Sequence, residues 1–241
     1  PQGNLVNDGL IRELQPDIAI MLDIMGTLGL PPMESMTPVE AREFSKAMSA
    51  VRPTGPEVGE IVDGTLPGPR GPLAYRLFRP TSAGPHPVLL YFHAQMARDN
   101  GGPALAGQLL VTPVTDGSKP YRSHFENAEG YILTDALMKW FWSHYATEDQ
   151  RRDPKASPRL ASSLAGLPPT MIVTSQFDPL RDEGDAYAEA LSAAGVKVRH
   201  LRARGHTHTS LTSVGMVFSG APVRAEMAAA IRGFFGAKVS A

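Results

Sequence analysis

The sequence predicts an α/β protein built on a mostly parallel sheet with helices on both faces. Three observations predict it. The runs Val88-Leu-Leu-Tyr-Phe-His93, Gln108-Leu-Leu-Val-Thr-Pro-Val114 and Met171-Ile-Val-Thr174 are short and apolar, as strands buried on both faces are. A helical pattern over residues 182–194 follows the last run and meets a stop at Gly195. A further strand over residues 196–202 then leads into Gly205-His-Thr-His208. Asp178 and His208 thus lie just past the ends of successive strands, the rim where open α/β sheets bind ligands.

Residues 1–50 read as a helical appendage, and residues 51–241 as the α/β core. The first helix is expected near residues 16–28, with Ile18, Met21, Leu22 and Met25 on one face. The second opens at Thr37-Pro-Val-Glu40. Thr37 is placed to cap, Pro38 suits the first helical position, and Glu40 completes a capping box. Arg52-Pro-Thr-Gly-Pro56 is a linker. Alternating patterns over residues 57–65 and 73–78, joined by a Pro/Gly turn, read as a hairpin. Residues 121–130 read as a polar loop. A helix follows from Thr134, with Thr134 as cap and Asp135 in its first turn. Its Leu137, Phe141 and Tyr145 recur at core spacing. The last helix spans residues 222–235, with Val223, Met227, Ile231 and Phe234 on one stripe and Gly236 at its end.

Composition narrows the function. The 241 residues can fill one α/β domain and a small appendage. With 42% hydrophobic and 20% charged residues the chain is ordinary for a globular protein. A net charge of −1 gives no electrostatic drive toward nucleic acid or anionic lipid. There is no cysteine, which excludes disulfides, thiolate metal sites and a cysteine nucleophile, and fits a cytoplasmic location. Asp17 and Asp23 break the apolar stretches near the start, so no membrane span is expected. The chain opens on Pro1 rather than Met, from which N-terminal trimming is expected.

Asp178 and His208 are the types, in the order, that follow the serine in a Ser…Asp…His triad. A serine hydroxyl is a weak nucleophile until a base takes its proton. An imidazole does this near neutral pH when a buried carboxylate fixes its tautomer. Asp178 alone reads as a cap for the following helix, and His208 alone as a loop residue. The two together read as acid and base. Asp182 and Glu183 read as first-turn helix acids. His200, His206 and His208 also invite a zinc reading, but no HExxH pattern occurs and no carboxylate is spaced to join them.

The segment Phe177-Asp-Pro-Leu-Arg-Asp-Glu-Gly184, with a histidine loop about thirty residues on, resembles the catalytic-acid segment of the hormone-sensitive-lipase-like carboxylesterases. That family has the α/β-hydrolase fold. The resemblance implies Asp178 as acid and His208 as base, with His206 the weaker candidate. It implies that His93 begins the oxyanion loop, that residues 1–50 cap the acyl pocket, and that Trp140 and Trp142 are candidates for lining it. It implies hydrolysis of small to medium acyl esters, no cofactor and no metal. From the family alone, a homodimer is expected.

One place departs from the pattern. At His93-Ala94 a buried strand runs straight into Ala94-Gln-Met-Ala-Arg-Asp-Asn-Gly101, the tail of a helix, with no turn between them. The family continues His-Gly-Gly there, and its Gly-Asp-Ser-Ala-Gly nucleophile segment follows within roughly eighty residues, the length of a few βα units. No Gly-x-Ser-x-Gly occurs in this chain. Ser210 and Ser213 follow His208 too closely, and Ser175 shares the strand of Asp178, so no serine is assigned as nucleophile. Two readings stay open. Either the segment is missing from the sequence as written, or it is deleted. Deletion would leave unpaired backbone inside the sheet, so omission is favoured. A real deletion would make the chain a catalytically inactive binding protein.

Overall fold

The computed structural model describes residues 14–50, 57–67, 71–79, 81 and 104–236. The linker at 52–56, the strand expected at 88–93, the helix tail at 94–101 and the His93-Ala94 junction lie outside them.

Two helices open the described chain, α1 (Pro16–Thr27) and α2 (Pro38–Ala50). The capping box before α2 forms as expected. Thr37 N–H donates to Glu40 Oε2 at 2.8 Å, and Glu40 N–H donates to Thr37 Oγ1 at 3.3 Å. An antiparallel hairpin follows, β1 (Glu60–Leu66) with β2 (Leu73–Arg79).

Among the described residues, a parallel sheet of three strands runs in the order β3 (Gln108–Val111), β4 (Thr170–Phe177), β5 (Val198–Thr207). Between β3 and β4 lie α3 (Arg122–Glu126) and α4 (Asp135–Tyr145). The helix α5 (Arg181–Ala193) joins β4 to β5, and α6 (Ala221–Gly236) ends the described chain. Every residue of β4 but Gln176 is buried. Alternation explains this. Ile172 faces Tyr187, Ala188 and Leu191 of α5, while Met171 and Val173 face the side covered by Val223, Met227, Ala230 and Phe234 of α6. Gly195, at φ +80, ends α5 where the sequence placed the stop.

Several elements depart from expectation. β3 ends at Val111 rather than Val114, because Thr112 turns to φ 45 and Pro113 has no N–H for the ladder. β5 runs on through Gly205 and His206 to Thr207. The loop expected at 121–130 contains α3. On α4 the side chain that buries is Met138, whereas Phe141 is 43% and Tyr145 65% exposed. On α6, Ala230 replaces Ile231 in the packed stripe, one residue earlier around the helix. Among the described residues, no helix is long and apolar enough to cross a membrane.

The appendage is tied to the sheet. Ile18 and Met21 of α1 pack with Phe177 and Val217. Gln15 N–H donates to Gly205 O at 3.1 Å, and Gln15 Nε2 donates to Arg204 O at 3.3 Å. Asp17 accepts from both Ser219 N–H and Ser219 Oγ, at 2.8 and 2.7 Å.

Candidate active site

β4 and β5 run parallel, so residues that leave the two strands at matched register emerge side by side. Phe177 is the register partner of Thr207. Asp178 and His208 are the next residue of each strand. The match depends on an irregularity. Ser175 pairs with Ala203, so β5 carries two more residues than β4 before the ladder resumes. The extra length is taken up at Arg204-Gly205. Gly205 sits at φ +75, a left-handed conformation natural to glycine, and its N–H donates to Gln176 Oε1 at 2.8 Å.

His208 Nδ1 lies 2.9 Å from Asp178 Oδ2. An ionised carboxylate only accepts, so Nδ1 carries the proton and donates. That leaves Nε2 of the neutral ring as an acceptor, and among the described residues it has no hydrogen-bond partner. Asp178 is buried, while the His208 side chain keeps 20% of its surface. The second oxygen, Asp178 Oδ1, accepts from Leu180 N–H at 2.9 Å. One Asp178 oxygen thus bonds within the turn into α5 and the other meets the imidazole, while the N-cap position of α5 itself is Leu180, without a side-chain cap.

The turn is held from outside as well. Asn127 Nδ2 donates to Asp178 O at 3.1 Å, and Ser123 Oγ donates to Pro179 O at 2.5 Å. Asp182 and Glu183 do occupy the first turn of α5. Asp182 Oδ2 accepts from Ser123 N–H at 2.9 Å. Glu183 is fully buried, and its Oε1 accepts from Thr115 N–H at 2.5 Å. Tyr121 N–H reaches His124 Nδ1 at 3.4 Å, so His124 donates from Nε2 to Glu183 Oε2 at 3.1 Å. Burial pushes the Glu183 carboxyl above its usual range, against the pull of His124 and the Thr115 amide. Neighbouring Asp116 behaves oppositely. Burial raises it, but donors on Ser118 and Tyr121 outweigh that and hold it low.

The other sequence candidates separate. His206 is buried and its Nδ1 lies 3.1 Å from Ser210 Oγ; burial lowers its pKa. His200 Nε2 meets Asp185 Oδ1 at 2.9 Å and Thr174 Oγ1 at 3.0 Å. The three histidines of the zinc reading thus have three separate partners. Trp140 Nε1 donates to Met36 O at 3.1 Å, fastening α4 to the appendage. Trp142 packs with Leu133, Met138 and Leu180, and a Cβ on Gly117 would lie 2.3 Å from its ring. His93 lies outside the described residues. No described serine hydroxyl bonds His208. Ser175 Oγ is buried without a partner among the described residues, and Ser210 belongs to His206.

Sequence reasoning missed Ser123 and Asn127. A signal existed: they stand four apart, on one face of any helix through them.

The chain is 41% identical over 129 residues to the carboxylic ester hydrolase LipN of Mycobacterium tuberculosis, covering 50% of this chain and 34% of that protein. It is 38% identical over 102 residues to an ethyl acetate hydrolase of Pseudomonas putida, covering 42% and 32%. It spans about a third of the length of the curated relatives it matches. Among solved structures, an ester-hydrolase from the metagenome of Lake Arreo aligns with TM-score 0.85 at 26% identity, over 92% of this chain and 99% of that one. A thermostable esterase from Pseudomonas putida aligns with TM-score 0.79 at 26% identity, over 90% and 94%. Residues 81–212, more than half of the chain, match the family described by the alpha/beta hydrolase fold, and the chain belongs to that family.

Proposed function

We propose that the chain carries the acid–base half of a carboxylic ester hydrolase acting through an acyl-enzyme. His208 Nε2 takes the proton of an attacking serine and later gives it to the leaving alcohol. Asp178 fixes the tautomer and stabilises the imidazolium. Amides after His93 hold the oxyanion. The observation that carries this reading is the 2.9 Å contact of His208 Nδ1 with buried Asp178, which leaves Nε2 open. The printed activities of the relatives, carboxylic ester and ethyl acetate hydrolysis, support it. The serine belongs to the segment absent between His93 and Ala94. Residues 1–50 act as the cap, a role supported by α1 packing on Phe177, the residue before Asp178. The substrates are small to medium acyl esters.

A second reading is a binding protein without catalysis, favoured by the lack of a described serine on His208. Two measurements on the purified protein separate them. Intact mass shows whether roughly eighty residues more are present. Hydrolysis of p-nitrophenyl acetate, lost in His208→Ala, supports the esterase. Absent hydrolysis, or hydrolysis unchanged in His208→Ala, supports the binding protein.

A further inference from the structure

Resting on the reading of Asp178 as the acid, we propose that α3 and Asn127 form its positioning element, with Asn127 and Ser123 as positioning residues. Side chains or amides of residues 123–127 bond every residue from Asp178 to Glu183 except Leu180. Asn127 Nδ2 holds Asp178 O, and Ser123 Oγ holds Pro179 O. Arg181 donates to Glu126 Oε2 at 2.6 Å, Ser123 N–H meets Asp182, and His124 meets Glu183. Ser123 and Asn127 are buried, so two of these bonds lie out of reach of water. The spacing puts both on one face of the turn, toward the acid segment.

The geometry gives these two bonds an effect on the imidazole. Asp178 Oδ1 is tied to Leu180 N–H within the turn. The position of that turn therefore sets where Oδ2 stands against His208. Asn127 and Ser123 fix the turn's two leading carbonyls without touching the ring. Loss of Ser123 Oγ removes the side-chain donor to the buried Pro179 carbonyl, and loss of Asn127 Nδ2 leaves Asp178 O to the Arg181 N–H alone, so the turn is freer to move. A shift of about 1 Å at such a pair costs on the order of a hundredfold in rate.

The test reads the pair rather than turnover, so it stands whether or not the esterase reading does. The ¹⁵N-labelled full chain is observed by proton NMR for the hydrogen-bonded His208 Nδ1–H, assigned by its loss in His208→Gln. In Asn127→Ala and Ser123→Ala this resonance exchanges with water at least tenfold faster or disappears, while the amide spectrum stays dispersed. In Ser123→Thr, which keeps the donor, it persists. In Arg122→Ala, which removes an exposed charge from the same helix, it also persists. An unchanged resonance in either folded alanine variant overturns the proposal. Loss in Arg122→Ala as well overturns it too, since α3 would then act only as general scaffold. Should one alanine variant lose its dispersed spectrum, the other decides. A parent protein without the resonance refutes the pairing and this inference together. Absent ester hydrolysis refutes only the function.

Discussion

Phe177 and Thr207 face each other across β4 and β5, and that match delivers Asp178 to His208. The match exists because two residues of β5 are set aside at Arg204-Gly205, with Gly205 at φ +75. Gly205→Ala places a Cβ in the left-handed region at a cost of about 1–2 kcal/mol. Urea denaturation should show that loss. The His208 Nδ1–H signal should weaken with it. A variant of unchanged stability would mean the irregularity tolerates side chains.

Thr209, directly after His208, also has positive φ, at 60, and is exposed. A β-branched residue is strained there. Thr209→Gly should stabilise by about 0.5–1 kcal/mol, the relieved strain less the flexibility glycine adds to the unfolded chain. The check is the thermal midpoint, which should rise.

Glu183 gives a pH dependence of definite sign. Burial raises its carboxyl above the ordinary 4.5, with His124 and the Thr115 amide opposing. The folded state thus holds this proton more tightly than the unfolded chain. Its stabilisation is complete below pH 4.5 and is lost as pH rises through the folded value. Glu183→Gln removes the titration and keeps an acceptor for the Thr115 amide. The difference in unfolding free energy between parent and variant should shift toward the variant as pH rises from 4.5 toward 7. Parallel curves would contradict this.

Asp17 has the opposite sign. Burial is the largest single influence and raises it, but the Ser219 amide and hydroxyl, with the Ile18 and Phe218 amides, together outweigh it and hold it below 3.8. Its contribution is present above 3.8 and lost as pH falls through the folded value. Asp17→Asn should cost about 1 kcal/mol at pH 7, after discounting for solvent screening. The two proteins should converge as pH falls through the folded value. Hydrogen exchange should show α1 opening more readily in the variant at neutral pH.

What could be read from the sequence was what local rules control. The β4 run, the Gly195 stop, the Thr37–Glu40 box and the Thr134 cap each depend on neighbours within four residues, and each forms. Asp178 and His208 stand out in the sequence because strand-end position and residue type coincide, and the two side chains meet. What stayed hidden depends on partners far along the chain. The five residues of α3 are too few to show a helical period, and the side-chain bonds of Ser123 and Asn127 go to positions more than fifty residues away. The extra residues of β5 have meaning only against the register of β4. Leu137, Phe141 and Tyr145 have core spacing, yet the cluster beneath α4 closes over Met138 and leaves the two aromatic rings outward. Trp140 had a partner in Met36, which no pattern around residue 140 announces.

The hold of Gln15 on the carbonyls of Arg204 and Gly205 makes the start of α1 a handle on the imidazole. Force applied ahead of Leu14, by a bulky fusion or a surface tether, runs through two hydrogen bonds to the turn that aims His208. Immobilisation from that end should disturb the pair, and attachment beyond Gly236 should leave it at rest.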